Sequence, residues 1–283
     1  MTTFSIPQNK PLSAVDLEKK VEEYVRELAE ETDAVRRSQW FKEYLDAVAL
    51  FWRYSYRNQL LIFMQKNDAV RVAGFRTWNE LGRRVKAGEK AIKILAPFTK
   101  KIVKKDEQTG EEKEESYTYF YPVSVFDVSQ TEGKELPELN IDVEGNSHQQ
   151  LLDKLLAFCL TQNIAVEFKQ LGVNGLYGYS QGGKIVIGSN QSVNMQANTL
   201  IHEIAHELTH YSQEGKKFSK QEREIHAEAT TYVVTKALGL ENKSASYLAL
   251  YTKDKNKIME SLETISKNAR QILGPLKGFQ QNS

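Results

Sequence analysis

The sequence lacks several features that would narrow the class of protein. Its 283 residues include one cysteine, Cys159, which excludes an internal disulfide and indicates a reducing compartment. No apolar run approaches the roughly 18 residues of a membrane span, and the N-terminus has no basic region followed by an apolar stretch. Internal repeats and low-complexity tracts are also missing. We therefore expect a soluble, cytoplasmic protein with no membrane partner.

The overall charge carries little information, because a formal net charge of +1 favours neither an acidic nor a basic partner. The local charge is uneven. Residues 51–105 contain 14 basic and 3 acidic residues, whereas the flanking residues 14–33 and 106–115 each have a net charge of −5. A cationic segment between two acidic ones gives the first half of the chain a directional charge pattern.

The pattern of apolar residues predicts an α+β protein with two domains. Helical periodicity and two segments that can pair as strands, 100–104 and 116–126, indicate an α+β first domain covering residues 1–130. Residues 131–147 contain glycine, proline, asparagine and acidic residues with little periodicity, so we expect a linker. Residues 148–283 are predicted to form a second domain with a small sheet, a hairpin turn at Gly182-Gly183, and several helices.

Several individual elements are specific enough to compare with a structure. A helix over 13–31 is expected to bury Val15, Val21, Val25 and Leu28. A longer helical pattern covers 40–65, and residues 70–78 are expected to be extended. Further helices are predicted over 194–213, 219–238 and 244–252.

Residues 202–206 read HEIAH, an instance of the H-E-x-x-H motif. On a helix, its two histidines lie about 40° apart around the axis and about 6 Å apart along it. His202 and His206 can therefore bind one metal ion, and Glu203 lies where it can accept a proton from a bound water molecule. The alternative is a helix that carries these three residues on its surface without any ligand.

A catalytic zinc site needs a third protein ligand. His210 is about 12 Å along the axis from His202, too far to share its metal. The metzincin pattern is also missing, since Thr209 and Ser212 stand where it requires glycine and histidine. The third ligand is therefore expected from the next helix.

That helix carries Glu224, Ala227, Glu228 and Thr231, whose spacing places them on one face, with two small residues that permit close approach. We predict Glu224 as the ligand and Glu228 as the acceptor of the other ring N–H of a ligating histidine. His226 is expected to point away from this face. The alternative is that Glu224 and Glu228 belong to an ordinary solvated face.

This site predicts a hydrolytic reaction. The metal would polarise a peptide carbonyl and acidify a water molecule, while Glu203 transfers the proton to the leaving amine. Zn²⁺ suits two histidines and a glutamate, although other divalent metals accept related geometries. The strand over 184–187 is a candidate for pairing with a substrate backbone. Tyr211 and Tyr232 are candidate oxyanion donors, with packing as the alternative for each.

The first half of the chain combines cations with aromatic residues. Phosphate attraction together with base stacking on aromatic rings is the physical basis of single-stranded DNA binding. The alternatives are that the aromatics form a core and that the acidic flanks neutralise the cations. The candidate DNA-contacting residues are Arg53, Tyr56, Arg57, Asn58, Phe75, Arg76, Trp78, Arg83, Arg84, Lys86, Lys90 and Lys93.

Four phrases in this half, YSYRNQ at 54–59, VAGFRTW at 72–78, KAGEK at 86–90 and VFDVSQT at 125–131, resemble the N-terminal domain of ArdC-like antirestriction proteins. The HEIAH motif and the segment around Glu224 also resemble ImmA/IrrE and SprT-like peptidases. The resemblance implies a single-stranded DNA-binding domain followed by a zincin-like metallopeptidase domain. It also implies His202, His206 and Glu224 as metal ligands, Glu203 as the catalytic residue, and a plasmid, conjugative element or phage as the source.

Three functions remain open at this point. The first is a metalloprotease that acts on a protein near single-stranded DNA. The second is a binding module that protects incoming single strands, with a structural or regulatory metal domain. The third is an ImmA-like peptidase that inactivates a transcriptional repressor. The protein substrate and the oligomeric state are not predicted.

Overall fold

The computed structural model describes residues 12–105, 112–136, 147–172, 175–211, 215–240 and 252–277. Residues 137–146 of the expected linker, residues 106–111 between the two paired segments, and residues 244–251 of the helix expected over 244–252 lie outside this range. The chain forms two compact units. The first comprises Met1–Tyr24 and Arg57–Leu136, and the second comprises Val25–Tyr56 and Pro137–Ser283. Residues 25–56, which the expected first domain included, thus lie in the second unit.

Helices and small sheets confirm the α+β class. The helices are α1 (Ala14–Glu30), α2 (Ala34–Leu50), α3 (Tyr56–Gln65), α4 (Phe75–Glu80), α5 (Ser147–Thr161), α6 (Val193–Thr209), α7 (Lys220–Ala237) and α8 (Lys255–Leu276). The strands are β1 (Val72–Gly74), β2 (Arg83–Val85), β3 (Ile92–Lys105), β4 (Glu112–Asp127), β5 (Thr131–Gly133), β6 (Ala165–Lys169), β7 (Gly178–Ser180) and β8 (Lys184–Gly188). None of the described helices is long and apolar enough to span a membrane.

The first unit is built on a long hairpin. Strands β3 and β4 pair antiparallel from Ile92 with Val125 to Lys105 with Glu112, and β1 pairs with the other edge of β4. The Asn58 side chain, on α3, bonds both the N–H and the carbonyl oxygen of Leu95 at 2.8 Å. These two bonds hold α3 against the base of the hairpin, because a buried side-chain amide must find a partner for each polar group.

The second unit contains a three-stranded sheet in the order β6-β8-β7. Strand β6 runs parallel to β8, and β7 runs antiparallel to it. Both glycines of the predicted turn have positive φ, +77° at Gly182 and +84° at Gly183, as a two-residue hairpin turn requires. Glu207 accepts hydrogen bonds from the backbone N–H groups of both glycines, at 2.9 and 2.6 Å, and so fixes this turn to helix α6.

Candidate metal centre and nucleic-acid surface

Helix α6 presents the HEIAH motif from a well-defined position. Ser192 precedes the helix, and its side chain accepts a hydrogen bond from the N–H of Met195, as an N-cap residue does. One side of the helix is buried through Leu200, Ile201, Ile204 and Ala205. Burial of that side fixes the rotation of α6 and leaves His202 and His206 half-buried on another side.

Three side chains meet in front of α6. Nε2 of His202 lies 3.1 Å from Nε2 of His206. Oε2 of Glu224, on α7, lies 3.6 Å from the first of these nitrogens and 3.7 Å from the second. Ligand atoms on a tetrahedron around zinc, with bonds of 2.0–2.1 Å, are separated by about 3.3 Å. The three residues predicted as ligands therefore form a triangle of a size that fits one such ion.

Helix α7 brings Glu224 to this position by packing closely against α6. A capping box at Ser219 and Glu222 starts the helix, and Ala227 and Thr231 on the facing side are buried. The imidazoles of His202 and His206 hold the pKa of Glu224 well below its usual range. Glu228, one turn further along, places Oε1 3.8 Å from Nδ1 of His202, on the side of the ring opposite the cluster.

Glu203 lies beside the cluster but is not one of its three members. Its side chain is buried, and burial raises its pKa against the opposing effect of His202 and His206. Burial lowers the pKa of His202, but the Glu224, Glu203 and Glu228 carboxylates outweigh that effect and raise it. A carboxyl group with a raised pKa, next to three converging ligand atoms, is the environment that a general base requires.

The expectation that residues 184–187 pair with a substrate backbone is wrong. Strand β8 occupies the middle of its sheet, so β6 and β7 already use both of its edges. The edge strand next to the cluster is β7, where Ser180 lies close enough to Glu203 to oppose the rise in its pKa. Gly178 permits this proximity, since an added Cβ would lie 2.7 Å from Cγ2 of Thr199 on α6.

Two histidines lie behind the cluster. His210 is buried, and its Nδ1 lies 2.7 Å from Nδ1 of His206. His226 is fully buried, with Nε2 2.9 Å from Oγ of Ser261. Burial lowers the pKa of His210 to about 3 and that of His226 to about 4, so both rings are neutral. His226, which is expected to point away from the ligand face, is a core residue that stacks on His210.

The two tyrosines considered as oxyanion donors differ in exposure and in hydrogen-bond partner. The hydroxyl of Tyr211 donates to the carbonyl oxygen of Ser180, beside Glu203, and the Tyr211 side chain is exposed. The buried hydroxyl of Tyr232 donates instead to the Asp46 carboxylate of α2. Tyr232 therefore connects two helices, and only Tyr211 stays a candidate donor at the centre.

Three of the predicted DNA-contacting residues are buried. Trp78 is 0% exposed and donates its indole N–H to the carbonyl oxygen of Phe126, while Tyr56 and Asn58 are also in the interior. A ring or an amide with almost no exposed surface cannot stack on a base or reach a phosphate. For these three residues the prediction is wrong, because aromatic and amide side chains within an apolar pattern form the core.

Several predicted cations already have protein partners. Arg76 pairs with Glu80 and Arg84 with Glu132, while Lys86 donates to the carbonyl oxygen of Ser129. Arg83 donates to Thr131 and Lys134, and Lys93 to Ser124. Glu80 and Glu132 thus offset part of the positive charge, and neutral oxygen atoms accept hydrogen bonds from the other three side chains. Phe75 and Lys90 are exposed, as are Arg53 and Arg57, and their contact with DNA stays a prediction.

The sequence interpretation missed a row of exposed aromatic rings on the β3–β4 hairpin. Phe98 is directly opposite Tyr119, and Ala96 is opposite Tyr121, so Phe98, Tyr119 and Tyr121 share one face. The three rings are 55%, 53% and 47% exposed. Lys100 follows on the same face. The alternating pattern over 116–126 indicated a strand. Without the pairing register between β3 and β4, it did not show that this part of the hairpin extends beyond the core.

Comparisons with known proteins agree with this two-part organisation. Residues 16–126 match the family model of the N-terminal domain of anti-restriction factor ArdC. Residues 159–268 match that of the M78 peptidases, described as the IrrE N-terminal-like domain. An uncharacterized Bacillus anthracis protein, pXO2-81, is 28% identical over 263 residues, covering 79% of this chain. The chain spans 45% of the length of that relative.

Two crystal structures of the antirestriction ArdC protein from plasmid R388 are also similar. The metal-free structure is 22% identical with a TM-score of 0.45, and covers 81% of this chain and 87% of its own. The Mn(II)-bound structure is 20% identical with a TM-score of 0.46, and covers 80% and 90% respectively.

The fold and the two family matches define an α+β protein that carries an ArdC-type N-terminal domain and a metallopeptidase-like domain. The chain is an ArdC-like protein.

Proposed function

We propose that the second unit is a metal-dependent peptidase. The proposal depends on one observation, the convergence of His202, His206 and Glu224 beside the buried carboxyl of Glu203. A divalent ion bound by the three ligands would polarise a peptide carbonyl and acidify a water molecule. The two-histidine, one-glutamate donor set favours Zn²⁺, with other divalent metals as alternatives.

The residues around the ligands have distinct roles in this proposal. The Glu203 carboxylate accepts the water proton and delivers it to the leaving amine nitrogen. Glu228 orients the His202 ring from the side opposite the cluster. The β7 edge offers backbone groups to an extended substrate, and the Tyr211 hydroxyl, whose single proton is donated to the carbonyl oxygen of Ser180, would exchange that bond for one to a developing oxyanion.

The substitution Glu203→Gln tests the catalytic role. We expect it to reduce metal-dependent cleavage of a peptide library about 10²–10⁴-fold, because the amide cannot accept the proton. Bound metal, measured by elemental analysis, should not change, whereas His206→Ala should lose it. Glu263→Gln, an exposed carboxylate on α8, is the matched control. Failure of the wild-type protein to retain a divalent ion would contradict the proposal.

We also propose that the first unit binds single-stranded DNA through the aromatic face of its hairpin. Rings on alternate residues of a strand are about 6.8 Å apart, which leaves each free to stack with a base. Lys100, on the same face, supplies charge that is complementary to the phosphates. Contacts by Arg57, Phe75 and Lys90, which are exposed residues of the same unit, are part of the proposal, and DNA contact by Arg53 of the second unit stays a separate prediction.

Fluorescence anisotropy with a labelled oligo(dT) tests this surface. Replacing Phe98 and Tyr119 together by alanine should weaken binding by about 1–3 kcal/mol for each base that loses its stacking partner. Lys100→Ala should reduce the slope of log affinity against log salt by about 0.7. Leu160→Ala, which removes an exposed apolar side chain from α5, should leave binding unchanged. If the double variant binds oligo(dT) as tightly as the wild-type protein, the DNA binds a different surface.

The match to an anti-restriction domain supports antirestriction as the biological role on a mobile element such as a conjugative plasmid. The mechanism has two candidates, proteolysis near the strand and protection of the strand by coating. Transfer of unmodified DNA into a restricting host distinguishes them. Protection that survives Glu203→Gln but not the Phe98 and Tyr119 double substitution would favour coating. An ImmA-like action on a repressor, and a cytoplasmic location, stay predictions.

A further inference from the structure

His206 contacts two different groups through its two ring nitrogens. Nε2 faces the ligand cluster, 3.1 Å from Nε2 of His202 and 3.7 Å from Oε2 of Glu224. Nδ1 lies on the other side of the ring, 2.7 Å from Nδ1 of His210. A distance of 2.7 Å between two imidazole nitrogens is a hydrogen bond, so one nitrogen carries the proton and the other accepts it.

The ligand role of His206 decides which nitrogen is the donor. A neutral imidazole has one N–H and one lone pair, and a metal ligand must present the lone pair to the ion. If Nε2 faces the ion, the proton of His206 lies on Nδ1, and Nδ1 of His210 accepts it. The opposite direction would place a proton on Nε2 of His206, pointing at the other ligand atoms.

We propose that His210 is a positioning residue, which fixes the ring orientation and the tautomer of the metal ligand His206. The inference rests on the proposed metal centre, and it gives a role to a histidine that lies too far from His202 to be a ligand itself. A second partner of this kind, on the nitrogen away from the ion, increases the basicity of a ligating histidine and prevents rotation of its ring.

The side chains around His210 restrain its ring. Its ring is 4% exposed and stacks on His226 with centroids 5.8 Å apart and planes at 26°. His226 is in turn held by Ser261 of α8, and Phe218 places its ring edgewise against both histidines. His226 and Phe218 therefore restrain the His210 ring directly, and Ser261 of α8 holds His226 in place.

The other nitrogen of His210 shows that this arrangement is destabilising by itself. When Nδ1 accepts, the proton of His210 must lie on Nε2, which is buried and has no hydrogen-bond partner among the described residues. An unsatisfied buried donor is destabilising, and such groups are uncommon in native proteins. Leucine or methionine would fill this position without that cost, so stability alone does not explain a histidine here.

Zinc affinity of the full chain, measured by competition with a chromophoric chelator, tests the proposal. We expect His210→Ala to weaken binding about 10–100-fold, as loss of an outer partner of a metal ligand does. His210→Asn should restore most of the affinity, because its amide oxygen can accept near the position of Nδ1. His148→Ala, which removes an imidazole from α5, should bind zinc like the wild-type protein.

Imidazole nitrogen NMR of the zinc-loaded protein gives a readout that a general packing role would not change. We expect the proton of His206 on Nδ1 and the metal on Nε2, with exchange of that proton accelerated in His210→Ala. Metal on Nδ1 of His206, or unchanged zinc affinity in a folded His210→Ala protein, would overturn the inference. If His210→Ala does not fold, the NMR result for the wild-type protein and the affinity of His210→Asn decide. Absence of zinc binding in the wild-type protein would instead overturn the proposed metal centre itself.

Discussion

Asp127 shows how one carboxylate organises the first unit. It is 1% exposed and accepts hydrogen bonds from the N–H groups of Val70, Arg71 and Ser129, at 2.8, 2.9 and 2.9 Å. Burial alone would raise its pKa, but these donors outweigh burial and lower it. The carboxylate therefore ends β4, begins the following turn and holds the segment that leads into β1.

Asp127→Asn should lower the free energy of unfolding by about 1–3 kcal/mol, because the amide turns a donor toward at least one backbone N–H. The folded pKa of Asp127 lies below its usual value of 3.8. Its stabilisation is therefore fully present above that value and is lost as the pH falls through the lower, folded pKa. Urea unfolding at pH 7 and pH 3 should show a difference between wild type and variant that shrinks in acid. The exposed change Asp153→Asn should show little effect at pH 7, and an equal difference at both pH values would contradict the account.

At the level of single residues, spacing predicts chemistry better than it predicts exposure. The four-residue interval between His202 and His206 predicts that both lie on one side of α6, because helix geometry fixes what that interval means, whereas Glu224 joins them through the packing of α7 against α6. No comparable rule distinguishes the buried Trp78 from the exposed Phe98. Both are aromatic residues in a cationic segment, and their difference arises from which elements cover them.

Among the elements, the patterns located most helices but not their ends. The pattern over 40–65 is divided into α2 and α3, because Phe51 leaves the helical conformation at the end of α2 and accepts a turn hydrogen bond from the N–H of Tyr54. In α1, Val15 is 57% exposed, and Leu17 takes its place in the buried stripe. A stripe of apolar residues tolerates a small rotation, so only tertiary packing selects the residues that are covered.

Gly215 lies directly against the end of helix α6. A Cβ at this position would lie 1.9 Å from the carbonyl oxygen of Thr209 and 2.6 Å from Cα of His210. These are backbone atoms, which cannot move aside as a flexible side chain would. The close approach lets the following turn place Phe218 against His210 and His226.

Gly215→Ala should therefore lower the free energy of unfolding by about 1–3 kcal/mol through overpacking. It should also weaken metal binding, because the displaced backbone includes His210. Thermal unfolding of the metal-free protein and chelator competition measure the two effects separately. Gly172→Ala is the matched control, since a Cβ there would meet nothing within 4 Å. Unchanged stability of Gly215→Ala would show that the turn relaxes without cost.

For the whole molecule, composition and motifs predicted two functional parts but not which segments build each. The second unit takes in Val25–Tyr56, and Asp46 on α2 accepts the hydroxyl of Tyr232 on α7. Such a contact joins residues far apart in sequence, so no local pattern reveals it. The ligand cluster thus lies in a unit assembled from two separate stretches of chain.

Because the proposed ligands belong to α6 and α7, an ion should stabilise the unit that contains them. An ion that binds the folded state alone, at a free concentration of 100 times its dissociation constant, adds about 2.7 kcal/mol. Hydrogen exchange of the slowest amides in α6 and α7 should therefore slow about 100-fold with Zn²⁺, relative to the protein in chelator. His206→Ala should lose this protection, because two remaining ligands bind the ion too weakly at the same concentration. Equal protection of the variant and the wild-type protein would mean that the stabilising ion binds outside the His202, His206 and Glu224 cluster.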